Sequence, residues 1–159
     1  MKTIYLLIAL TVSLGARAQI EKVSLQASGL TCSMCSNSIN KALKTLDFVE
    51  RVDADVSNYT FEIYFKENSI VDFNRIRKKV EDAGFSVSGF TATINFNNTP
   101  VRETQPLVIG SNSIILVNVK EESLNGIKKI KVLDKGFVSP KEAKRNSFAL
   151  SEGTYHATI

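Results

Sequence analysis

From residue 21 the chain alternates between apolar and polar positions. Val23, Leu25 and Ala27 fall on one side, and Lys22, Ser24, Gln26 and Ser28 on the other. A period of two predicts a strand with one buried face. Gly29 closes it. Ile39, Ala42, Leu43 and Leu46 then recur at helical spacing, with Lys41 and Lys44 outside the stripe, and predict a helix from about Cys35 to Leu46. Val52, Ala54 and Val56 alternate, a turn follows at Ser57-Asn58, and Tyr59, Phe61, Ile63 and Phe65 alternate against Thr60, Glu62, Tyr64 and Lys66. That pattern reads as an antiparallel hairpin. Asp72 is placed to cap a second helix whose stripe is Phe73, Ile76, Val80 and Ala83. Arg77 to Lys79 form its solvated outer face, Gly84 stops it as a C′ residue, and Phe85 and Val87 begin another strand. Strand, helix, strand, strand, helix, strand in this compass predicts an α+β ferredoxin-like sandwich, two helices on one face of a four-stranded antiparallel sheet.

After Val87 the pattern shifts. Phe90, Ala92, Ile94 and Phe96 alternate in the opposite parity, so a bulge or a new element begins near Gly89. The stretch NFNNTPVRETQP is a polar link, beyond which LVIG, SIILVNV and IKKIKVL are short strands and SPKEAKRN a charged loop or a single helical turn. The expected organisation is a sandwich over residues 19–90, a strand extension or linker at 91–97, and a small β-rich C-terminal module of unknown role at 98–159.

The N-terminus changes the setting. Lys2, an apolar run from Ile4 to Leu14, and Ala16-Arg17-Ala18 have the layout of a cleaved signal peptide over residues 1–18. The run is too short to span a bilayer, so we expect an exported mature chain, periplasmic or secreted, without stable membrane insertion. Removing Lys2 and Arg17 lowers the formal charge of +4 to about +2. That weak excess, without interleaved aromatic and basic residues, argues against a nucleic-acid partner.

Cys32 and Cys35 are the two cysteines of the chain, in the segment GLTCSMC where the first strand meets the first helix. As a disulfide staple they would close a loop too short to stabilise much. Two thiolates on a loop suit a soft ion: Cu(I), Hg(II) or Zn(II). A helix start also favours the thiolate form. A closed structural zinc site would need more ligands than one pair and the single His156 supply. Thiol–disulfide redox chemistry uses the same spacing and stays open. Met34 could add a thioether donor, and His156 reads as a surface strand residue. With no nucleophile beside that histidine and no phosphate-cradling glycine loop, an enzyme is not expected.

GLTCSMC after a first strand, the apolar helix, the hairpin and VEDAGF at residues 80–85 together resemble the heavy-metal-associated domain. This is the domain of copper chaperones, the N-terminal modules of copper-transporting P-type ATPases, and periplasmic mercuric-ion-binding proteins. The resemblance implies Cys32 and Cys35 as metal ligands, Thr31 as the polar residue before the first, and Phe85 as an aromatic packed near the site. Leu30 stands where the family usually has a methionine beneath the loop, and Asp47-Phe48-Val49 where it has a proline-glycine-valine turn. A neutral Thr31, where zinc-favouring members carry an acid, points to Cu(I) ahead of Hg(II) or Zn(II). The expected function is that of an exported Cu(I) carrier or scavenger exchanging its ion with a donor or acceptor protein. The alternatives are a redox protein using the same pair and an interaction module with a metal-responsive first domain.

Overall fold

The computed structural model describes residues 18–31, 33–102, 105–120, 123–148 and 153–159. All but the last residue of the expected signal peptide, and Cys32, lie outside the described residues. The chain opens with β1 (Gln19–Ser28), α1 (Ser33–Lys44), β2 (Val49–Asp55), β3 (Thr60–Phe65), α2 (Phe73–Asp82) and β4 (Ser86–Pro100). Val23, Leu25, Ala27, Ile39, Leu43, Phe61, Ile63, Ile76 and Val80 are buried, as their periodicity predicts. Helix α1 starts and stops two residues earlier than the apolar stripe suggested, because Leu46 enters the core from the turn after the helix.

Helix α2 is closed at both ends by local chemistry. The Asp72 carboxylate accepts the Arg75 amide at 3.0 Å, satisfying one of the amides a helix start leaves unpaired. At the other end Gly84 adopts φ +90°, its amide donates to Glu81 and the Phe85 amide donates to Val80. This is a Schellman closure, and it turns the chain into β4.

The first four strands run β2-β3-β1-β4 across the sheet, all antiparallel. The parity shift near Gly89 is a bulge: Gln26 pairs with Gly89 and Ala27 with Val87, leaving Ser88 without an opposite residue. The extra residue lets both Val87 and Phe90 reach the core.

Strand β4 does not stop at residue 90 or 97. It continues to Pro100, and its far edge pairs with β7 (Ser123–Val132). Beyond β7 come β8 (Thr154–Thr158), β6 (Asn112–Leu116) and β5 (Leu107–Ile109), so that one sheet runs β2-β3-β1-β4-β7-β8-β6-β5. β6 and β8 are parallel. The segment read as a charged loop or a single turn holds a helix, α3 (Pro140–Asn146), with Ser139 at its N-cap and a Lys131–Glu142 ion pair of 2.6 Å to β7.

The second half shares the core of the first. Phe73 of α2 packs against Phe90 of β4 and Tyr155 of β8, with ring centroids 4.9 and 5.5 Å apart, and Phe137 closes the cluster at 5.1 Å from Phe90 and 5.2 Å from Tyr155. All four are buried. The buried amide of Asn112 accepts the Phe73 backbone N–H at 3.0 Å and donates to the Val71 carbonyl at 2.7 Å, fastening β6 to the entry of α2. Arg77 is not a solvated outer residue: its side chain is 12% exposed, bonded to Asn74 and Glu81, with the guanidinium over the Phe137 ring at 5.8 Å. The C-terminal half covers that face of α2.

Candidate metal centre

Three connections meet at the end of the sheet where β1 stops. Gly29 leaves the strand at φ +88°, a backbone conformation that other residues adopt only with strain. Leu30 turns into the core, 9% exposed, so a leucine fills the space beneath the loop. Thr31 is exposed, and α1 begins at Ser33. The loop is braced from both sides. The Ala27 amide donates to the Tyr59 carbonyl of the β2–β3 turn at 3.0 Å, and Ser28 pairs with Ser86 at the start of β4. Phe85, half-buried, packs on the core at this end.

Cys35 lies in the first turn of α1, half-buried and packed against the core. That turn carries no acidic side chain, while Lys41 and Lys44 occupy the last turn. The positive end of the helix dipole therefore faces Cys35 with no carboxylate in the same turn, an arrangement that favours a thiolate. Met34, between the cysteine positions, is 78% exposed. Ser36 is buried, and its hydroxyl has no hydrogen-bond partner among the described residues.

The turn that lacks the family's glycine closes without one. The Val49 amide donates to the Leu46 carbonyl at 3.1 Å, and neither Asp47 nor Phe48 takes a positive φ. Phe48 is buried against Phe65, with ring centroids 6.1 Å apart. Arg75 of α2 pairs with Asp47 at 2.9 Å, and its hydrogen bond holds that carboxyl below the usual aspartate range.

His156 is not brought to the cysteine loop. It sits on β8, three strands from β1, which is roughly 14 Å across the sheet. Among the described residues no group of three or more His, Cys, Asp or Glu side chains is placed to hold a metal ion. Pattern reading missed the buried Asp134 beside His156, the Asn112 clasp and the covered Arg77. Each depends on contacts between distant segments, and no local periodicity signals them.

The family model described as the heavy-metal-associated domain matches residues 24–86, which run from β1 to the first residue of β4. Over 69 residues the chain is 41% identical to a probable copper-transporting ATPase, HMA5, of Arabidopsis thaliana, covering 43% of this chain and 7% of the relative. It is 30% identical over 71 residues to the mercuric transport protein periplasmic component of Pseudomonas fluorescens, covering 45% of this chain and 77% of that protein. A solved copper transporter domain from yeast, CCC2A, is 30% identical, with 42% of this chain and 90% of that chain covered and a TM-score of 0.38. The chain spans less than a tenth of the length of the first copper-transporting ATPases it matches.

Proposed function

Because the chain belongs to the heavy-metal-associated domain family, we propose that it is a soft-metal carrier holding one Cu(I) ion between Cys32 and Cys35. The observation that carries this reading is the seat of Cys35. It lies in the first turn of α1, packed against the core, at a helix start free of carboxylates. A second thiolate three residues earlier would complete a two-sulfur site for a soft ion. The matched ATPases, named as copper-transporting, support copper as the cargo.

Release proceeds by ligand exchange. An incoming thiolate from an acceptor protein adds to the two-coordinate ion before one of the two cysteine sulfurs leaves. No redox step is needed, so the protein is a binding module and not a catalyst. Protons compete for the sulfurs, so affinity falls towards acid pH. The signal-like pattern of residues 1–18 supports an exchange outside the cytoplasm, in the periplasm or a secretory route. Hg(II) is the second cargo to consider, since a relative covered over most of its length is named as a mercuric transport protein.

The test is an anaerobic Cu(I) titration of the reduced chain against a chromogenic Cu(I) chelator, beside the Cys32→Ser/Cys35→Ser double variant. We expect one tightly held ion per chain, absent in the variant. Equal, weak competition by both proteins would remove copper as the cargo, and the same pair of proteins would then be titrated with Hg(II).

A further inference from the structure

The sheet begins at the residue where the signal-like segment ends. Ala16-Arg17-Ala18 has the small-x-small pattern of a cleavage site, and the next residue, Gln19, is the first of β1. Gln19 is exposed, whereas Ile20 beside it is buried and anchors the strand. Among the described strands β4 alone pairs with Gln19, through Asn95, because the pairing of β1 with β3 begins at Lys22. A chain cut after Ala18 therefore starts on a fixed strand end whose first residue lies at the surface.

Two hollows flank that residue. One is lined by Gln19 with Asn95, Phe96, Asn97, Asn125 and Gly126, so its polar side chains are all carboxamides. The other, bordered by Ile20, Ile70 and Val108, has Lys66 as its one charged residue among those described. No carboxylate among the described residues lines either hollow, and Glu21, exposed two positions on, lines neither. A terminal ammonium would thus share one hollow with a lysine and the other with amides. Those surroundings supply donors and acceptors for a neutral amide but no counter-ion for a cation.

We propose that residue 19 is a modification site: once freed by cleavage, Gln19 closes to pyroglutamate. The neutral α-amine nitrogen attacks the side-chain carboxamide carbon Cδ. An N–Cδ bond forms, the Cδ–Nε2 bond breaks, and Nε2 leaves as ammonia, taking one amine proton. The step is intramolecular and needs no oxidant or co-reactant. The resulting lactam keeps one N–H and a carbonyl at the start of the strand and carries no charge. It also lacks the free amine that aminopeptidases require, which suits a carrier working outside the cytoplasm. The inference rests on the reading of residues 1–18 as a cleaved export signal.

The test uses the full chain, residues 1–159, produced in an exporting bacterial host and recovered for intact-mass measurement and stepwise N-terminal degradation. We expect a chain that begins at residue 19, is lighter by one ammonia than the same chain with an open glutamine, and is blocked to degradation. Pyroglutamyl aminopeptidase, applied to the denatured protein, should remove the block and expose Ile20. The Gln19→Ala chain, cut at the same place, should keep its full mass and sequence freely, which controls for ammonia lost elsewhere, at Asn125-Gly126 for instance. A chain that begins at Gln19 and still has an open glutamine after prolonged incubation at neutral pH would overturn this proposal and leave export standing. A recovered chain still carrying residues 1–18 would overturn the export reading and this proposal with it.

Discussion

Ser36 shares the buried face of α1 with Ile39 and Leu43. It follows Cys35 and carries a hydroxyl without a hydrogen-bond partner among the described residues. A buried orphan hydroxyl costs stability that an alanine would not. Ser36→Ala is therefore expected to raise unfolding stability by about 1 kcal/mol, measured as a shift in denaturant midpoint. A fall instead would mean that the hydroxyl has a partner. At Asp47 the argument is electrostatic. The hydrogen bond from Arg75 lowers its carboxyl pKa, so the folded state favours the ionised acid more than the unfolded chain does. That contribution is present above the ordinary aspartate range and fades as pH falls through the lowered folded value. Arg75→Gln should move the Asp47 titration back up, as followed by NMR, and an unmoved titration would rule out Arg75 as the cause. Residue-level chemistry of this local kind was partly legible in the sequence: Asp72 as a cap could be read directly, and Leu30 beneath the loop followed from the family resemblance. Arg77 could not, because its covering ring, Phe137, is remote in the chain.

At the scale of elements, most of the first half follows from period and punctuation. Alternation in β1 and β3, the stripe of α2, and Asp72 and Gly84 at its two ends all point to the same element order. Gly84 also permits a clean test. A Cβ added there meets nothing within 4 Å, while φ is +90°, so any penalty is conformational and not steric. Gly84→Ala should cost about 1–2 kcal/mol, seen as a lower denaturant midpoint with an unchanged slope. A neutral result would show that the Schellman turn does not set the entry to β4. What the sequence left ambiguous was the bulge at Ser88, since a change of parity reads equally as a kink within a strand or the start of another. Only the pairing of Gln26 with Gly89 and of Ala27 with Val87 decides it. The cysteine site was legible to the same degree: spacing and context pointed to the helix start, and Cys35 is found there, while Cys32 lies outside the described residues.

Over the whole molecule the two halves share one sheet and one core, joined through β4 and the four-ring cluster. Short strands separated by turns revealed that residues 98–159 were β-rich. They could not reveal that β7 would pair with β4, since non-local pairing leaves no periodic trace. Phe137→Ala should cost about 3–5 kcal/mol and lower a single transition seen alike by probes in either half. Removing residues 98–159 should abolish that transition, because Phe73, Phe90 and the far edge of β4 would lose their cover. A truncated chain that melts cooperatively would show the first half to be self-sufficient.

The parallel pairing of β6 with β8 has a further consequence, for the order of events during folding. β6 can pair with β5 at once, but its other neighbour is missing until β8 has been made, and β8 lies beyond β7 and α3. Such non-local strand pairing must meet the cost of closing a long loop before any contact offsets it. In the interval the nascent chain presents the apolar ring of Phe73, which Tyr155 of β8 will cover, and the edge of β7 on which β8 will pair, a surface on which chains can stick to one another. A holdase, or slow and dilute delivery, would then matter more to the yield of this protein than to that of a four-stranded unit complete in itself.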